Sequence, residues 1–152
     1  MATMNAAVVT SFAEPPHYQT FEVPQPNTAD EFIVDVLAVG LHPRVRSGAA
    51  GAHYTSSGTL PMIPGVDAVG QRPDGTRVYF VAADDVIGTM ADKALASARR
   101  SIELPDDADS AKVAAAMNPA MSSWVALRRR VRIQPGQTGD KSGHRDNGRC
   151  RV

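Results

Sequence analysis

The sequence predicts an α+β chain, mainly β, with short strands through its first two thirds and helices after them. Two observations predict this. Eleven prolines and twelve glycines stand among 152 residues of which only 5% are aromatic, a composition that favours many turns and short strands over a bundle of long helices. Apolar residues also tend to alternate as far as Ala96, then recur at helical spacing beyond Leu104-Pro105. A chain of this length usually makes one domain.

The elements follow in order. Asn5 to Thr10 is small or β-branched, and Tyr18 to Val23 alternates until Pro24 and Pro26 stop it, so both read as short strands. Glu31 to Leu41 is the strongest segment. Parity puts Phe32, Val34, Val36 and Ala38 on one face and Ile33, Asp35, Leu37 and Val39 on the other, and apolar content on both predicts a central strand. From His42 to Pro64 glycine, serine and proline predict a long surface loop with one helical turn over Pro43 to Ser47; such loops are uncommon unless they have a function. Gly65 to Gln71, Arg77 to Ala82 after the Pro73-Asp74-Gly75 turn, and Gly88 to Ala96 are the remaining strands. Asp106, Asp107, Asp109 and Ser110 supply acidic and capping groups for a helix ending near Met117, and Pro119 opens a second helix. In that second helix Met121, Trp124, Val125 and Leu127 lie at helical spacing, and arginines 128 to 130 suit the C-terminal dipole. Gly139 to Val152 holds no Ile, Leu, Phe, Met, Trp or Tyr, so burial cannot offset its ordering entropy, and a disordered tail is expected after a domain spanning residues 1–138.

Charge and composition exclude several functions. Sixteen basic and sixteen acidic side chains cancel, so no long-range field draws the chain to nucleic acid or to an anionic membrane; Arg128, Arg129, Arg130 and Arg132 read as a solvated helix end. The single cysteine, Cys150, excludes an internal disulfide framework and any multi-cysteine metal site. His17, His42, His53 and His144 show no metal-ligand spacing, and no nucleophile elbow or phosphate-cradling glycine loop is present. Without a secretory start or a long apolar run, a cytoplasmic protein is expected.

Six landmarks stand in a fixed order: Val39-Gly40-Leu41-His42 with Arg46-Ser47-Gly48, Pro61 to Gly70 as Pro-x-x-x-Gly-x-Asp-x-x-Gly, Asp74 to Val78, Gly88-Thr89-Met90-Ala91-Asp92, Leu104-Pro105-Asp106, and the small-residue helices around Ala114 and Ser122 to Leu127. Together they resemble the GroES-like catalytic domain of the medium-chain dehydrogenase/reductase superfamily, from about Asn5 to Thr138. The resemblance implies a partly open β-barrel with two or three helices. Zinc-dependent members carry a cysteine where this chain has His42 and a His-Glu pair where it has Val66-Asp67, so the resemblance points to the zinc-free quinone and enone reductases and implies no metal. In that branch hydride passes from NADPH to a conjugated carbonyl.

The resemblance implies His42 as the catalytic group, donating a hydrogen bond to the substrate oxygen or to the nicotinamide carboxamide, in place of the asparagine common in that branch. It implies Arg46 and Tyr54 on the side of the small-molecule quinone or enone, and Asn118, Met121 and Ser123, with His42, on the side of NADPH. An ordinary loop histidine, an exposed loop tyrosine, a helix cap at Asn118 and core packing of Met121 are the plainer readings. In the family a strand and glycine-rich turn would follow Pro135-Gly136-Gln137-Thr138; here Gly139-Asp140-Lys141-Ser142 follows, which makes no dinucleotide fold. A truncated or frame-shifted reductase, inactive alone, is therefore the expectation, with a stand-alone binding module as the alternative. The oligomeric state is open.

Overall fold

A computed structural model describes residues 2–54 and 56–131, Gly136, and the backbone of 138–139 and 150–151. The chain divides into two compact units, Met1–Pro119 and Ala120–Val152.

In the first unit β1 (Thr3–Val8) pairs antiparallel with β2 (His17–Glu22), and five further strands form one antiparallel sheet. These are β3 (Glu31–Val39), β4 (Asp67–Gln71), β5 (Arg77–Val81), β6 (Lys93–Ser97) and β7 (Ser101–Glu103), in the order β6-β3-β4-β5-β7. Helix α1 (Pro43–Ala49) leaves β3, and α2 (Ser110–Val125) follows β7. The expected mainly β, α+β class is what the structure has.

Glu31 to Val39 is the central strand expected, with partners on both sides, but its faces are not those of simple parity. A β-bulge between Val36 and Ala38 shifts the register and leaves Leu37 half exposed. Phe32, Val34 and Val36 pack with Ala68, Val78 and Phe80, and past the bulge it is Val39 that rejoins this core. Ala38 instead joins Val69 and Tyr79 on the opposite face, against Ala114 of α2. One inserted residue exchanges the faces of everything after it.

The strand expected over Gly88 to Ala96 is regular only from Lys93. Residues 87–91 make single bridges to Ile63 and Ala6, because Gly88 crosses so close beneath Gly65 that a Cβ there would lie 2.3 Å from the Gly65 carbonyl oxygen. These crossings tie β1 to the larger sheet: Ala7 N donates to Met90 O, and Asp92 N to Asn5 O. Met4, Ala6, Val8, Val23 and Ile63 fill the space enclosed. The result is a curled half-barrel.

Arg77 fixes where α2 begins. Its guanidinium donates to the carbonyls of Pro105, Asp106 and Ala108 and to Ser110 Oγ, over 2.7–3.1 Å. Asp109 then caps the helix, Oδ1 accepting from Ala111 N and Lys112 N, and the Lys112 N–H foremost holds its carboxyl below the usual range.

The two helices expected on either side of Pro119 are one. Proline removes the bond to the Ala115 carbonyl, but Ala115 is exposed to solvent, so the lost bond costs less than it would in a buried turn, and the fixed φ of proline suits the helix. Asn118 therefore lies within a helix rather than capping one.

The second unit holds the last turns of α2, a wider π-type turn over Ala126–Arg130, and a two-residue ladder of Thr138–Gly139 with Cys150–Arg151. Most of the expected tail from Gly139 lies outside the described residues. Among the described residues no helix is long and apolar enough to cross a membrane.

Candidate functional site

Where β3 ends, Gly40 N donates to the carbonyl of Asp67, the first residue of β4. A side chain at position 40 could not make this crossing, since its Cβ would lie 2.8 Å from the Ala114 carbonyl of α2 and 3.2 Å from both carboxylate oxygens of Asp67. Glycine lets the chain pass directly over that carboxylate.

Two residues later His42 stands at the N-cap of α1 with Pro43 after it, its backbone extended at φ −118° and ψ 171°. Its carbonyl receives the N–H groups of Val45 and Arg46, while its side chain makes no cap and turns inward. Nε2 lies 2.8 Å from Asp67 Oδ1. Asp67 Oδ2 accepts from the Tyr79 hydroxyl at 2.9 Å, and its backbone carbonyl from Thr89 Oγ1 at 3.2 Å. Asp67 and Tyr79 reach one another diagonally across the β4–β5 ladder, in which Val69 is the direct partner of Tyr79.

The network is buried: Asp67 is 0% exposed, Tyr79 7% and His42 8%. Removing a carboxylate from water is costly unless its oxygens are bonded, and here both are. Burial foremost, then the hydrogen bond to Asp67 and its negative charge, push the Tyr79 hydroxyl well above the ordinary 10.0. Tyr79 is thus a neutral donor at physiological pH. With Nε2–H directed at Asp67, the His42 ring has Nδ1 left for a ligand; among the described residues that atom has no protein partner.

A cavity of about 230 Å³ lies between α1 and the end of β5. Arg44, Val66, Ala83, Asp84, Asp85 and Arg100 are among its lining residues. A second, more apolar cleft of about 330 Å³ lies between residues 12–16 and α1, with Phe12, Leu41, Arg46 and Met90 on its walls.

The residues singled out from the sequence are distributed unevenly over this geometry. His42 belongs to the buried network and lines neither of these two cavities. Arg46 lines the apolar cleft. Tyr54 is 93% exposed, with its ring against His53 at 4.4 Å between centroids, and lines neither. Asn118 is half buried on α2, and Met121 and Ser123 are exposed. Met121 and Ser123 stand two positions apart on a helix, about 200° around it, so they do not face the same way. The reading of the sequence missed Asp67 and Tyr79 as site residues. The available signal for Asp67 was an ionisable residue inside an apolar strand, Val66 to Val69; Tyr79 gave none, because a tyrosine in a strand is ordinary.

The fold defines a class first: a GroES-like half-barrel of the kind found in quinone oxidoreductases. It superposes on the human synaptic vesicle membrane protein VAT-1 homolog-like protein with TM-score 0.78 at 18% identity, covering 89% of this chain and 46% of that one. On the quinone oxidoreductase of Thermus thermophilus, solved also with NADPH, the TM-score is 0.70 at 25% identity, covering 83% of this chain and 41% of that one. In sequence the chain is 29% identical over 157 aligned positions to "Probable NADPH-dependent quinone reductase tdiC" of Emericella nidulans, a match covering 84% of this chain and 44% of that protein. No family model matches. The chain is a homologue of NADPH-dependent quinone oxidoreductases of the medium-chain dehydrogenase/reductase superfamily, and it spans about the N-terminal half of their chains.

Proposed function

We propose that this chain is the acceptor-binding half of an NADPH-dependent reductase of quinones and enones. The observation that carries the reading is the 29% identity to a quinone reductase across 84% of the chain, on a fold shared with a quinone oxidoreductase solved with NADPH.

As a cofactor surface the described residues fit the nicotinamide end alone, and only in part. His42 and Asn118 carry groups suited to a carboxamide, whereas Met121 and Ser123 point apart and cannot both touch one ring. NADPH, when bound to the complete enzyme, supplies the hydride. The part assigned to this chain is to seat the conjugated carbonyl beside the nicotinamide, with the Nδ1 lone pair of His42 accepting a hydrogen bond from the carboxamide NH2 while Asp67, itself held by Tyr79, orients the ring. Of the acceptor-side residues that the resemblance implied, Arg46 lines the apolar cleft and Tyr54 stands exposed on the loop, so neither is given a contact with the acceptor in this reading. A strand followed by a glycine-rich turn, which would bind the pyrophosphate, is not part of this sequence, so the 152 residues alone are expected to hold NADPH weakly and reduce little quinone.

The test joins the chain, at Thr138, to the nucleotide-binding half of a quinone reductase and follows NADPH oxidation with a quinone. Turnover in the fusion, reduced by His42→Ala, is expected, with none from the chain alone. Tight NADPH binding to the chain alone in a calorimeter, or a well-folded fusion that binds NADPH and reduces no quinone, would refute the reading.

A further inference from the structure

We infer that the cavity between α1 and the end of β5 takes an anionic acceptor, a one-ring quinone or enone bearing a carboxylate or sulfonate that Arg44 and Arg100 hold. The inference rests on the reading of this chain as an acceptor-binding half and goes beyond it in naming the charge of the acceptor.

Two arginines and two aspartates line the cavity, and their engagement is unequal. Asp84 Oδ1 accepts from Val86 N at 2.8 Å and from Ile87 N at 3.0 Å, and Asp85 Oδ2 accepts from Ser57 N at 3.2 Å. Each carboxylate thus accepts backbone N–H groups of the wall through one of its oxygens. Arg100 donates a single bond, from Nη1 to the Ala83 carbonyl at 3.0 Å, leaving most of its five N–H groups unused. Arg44 makes no side-chain hydrogen bond or ion pair among the described residues.

An aspartate already bonded to N–H groups has part of its charge compensated, while an unpaired guanidinium presents a planar fork shaped for a carboxylate or sulfonate. The rest of the lining suits the body of such a ligand, since Val45, Met62 and Val81 offer apolar surface to a flat ring. Size limits the choice. About 230 Å³ falls below the roughly 300–1,000 Å³ of sites for drug-sized ligands, which leaves room for about one ring and its charged substituent.

The test titrates the full chain with hydroquinone and with 2,5-dihydroxybenzenesulfonate under ascorbate, by calorimetry and by amide chemical shifts. The reduced rings are used because a quinone would alkylate Cys150. The sulfonate is expected to bind about tenfold tighter, the worth of one charge-assisted hydrogen bond, and to lose that advantage as salt is added. In the double variant Arg44→Gln/Arg100→Gln the two ligands should bind alike, with hydroquinone affinity unchanged as the sign that the cavity is intact. Equal affinities in the parent chain, or a preference that survives both substitutions, overturns the inference and leaves the quinone reading standing. Failure of both rings to bind overturns both.

Discussion

The two polar regions of the first unit are built on opposite terms. At the Gly40 crossing the carboxylate has a partner on each oxygen, the three side chains are nearly sealed from water, and a glycine is required for the chain to fit. Around the neighbouring cavity Asp84 accepts from its own loop and Asp85 from Ser57 N, each through one oxygen, and the guanidiniums are largely unspent. A buried polar group without partners costs stability, whereas a solvated one costs little and stays available to a ligand. The first arrangement fixes geometry; the second leaves binding capacity.

The sharpest way to break this comparison is Asp67→Ala. It strands the His42 N–H and the Tyr79 hydroxyl in a site nearly closed to water, at about 1–3 kcal/mol for each unsatisfied group, so a loss of roughly 2–6 kcal/mol is expected from urea unfolding of the chain. The Arg44→Gln/Arg100→Gln variant should unfold within about 1 kcal/mol of the parent, as surface changes do. Similar losses in both would show that the cavity is as much a structural element as the network.

A smaller effect comes from Tyr79→Phe, which removes one donor and leaves Asp67 Oδ2 unpartnered, at about 1–2 kcal/mol near neutral pH. The dependence on pH sharpens it. Because the Tyr79 hydroxyl is pushed up in the folded chain, the unfolded chain loses that proton first as pH rises. Its contribution is complete below about pH 10 and declines above, by at most about 1.4 kcal/mol per pH unit. The phenylalanine variant should lack this decline. An alkaline unfolding curve of unchanged slope would mean that Tyr79 is not held as a buried, neutral donor.

What was legible in the sequence follows from the reach of each signal. Turn residues and alternation are local, so strands 17–22, 31–39, 67–71 and 77–81 and the cap at Asp109 stood out to within a residue or two. Strand Ser101–Glu103 did not, because three residues carry no period and its only apolar side chain, Ile102, is half exposed. The bulge at Leu37 was invisible, as nothing local marks a one-residue insertion in an apolar run, and it is what sent Ala38 and Val39 to the wrong faces. The order of motifs pointed to His42 without revealing that its partner Asp67 lies 25 positions on, or that Asp67 in turn meets Tyr79 12 positions later across the ladder between β4 and β5, and such pairings are properties of the fold rather than of any short window.

The smallest effect expected is that of Tyr54→Ala, and it bears on how far the acceptor site extends. An exposed ring whose described contact is His53 contributes little to folding, and the change in stability should stay within about 0.5 kcal/mol. His53, unlike Tyr54, lines the cavity. If Tyr54 acts only by resting against that imidazole, removing it leaves the affinity for 2,5-dihydroxybenzenesulfonate nearly unchanged, and that is the outcome the geometry favours. A loss of about tenfold, equal to roughly 1.4 kcal/mol, would instead make Tyr54 a ring that stacks directly on the acceptor, as the resemblance implied, and would extend the site beyond the walls that Arg44 and Arg100 define.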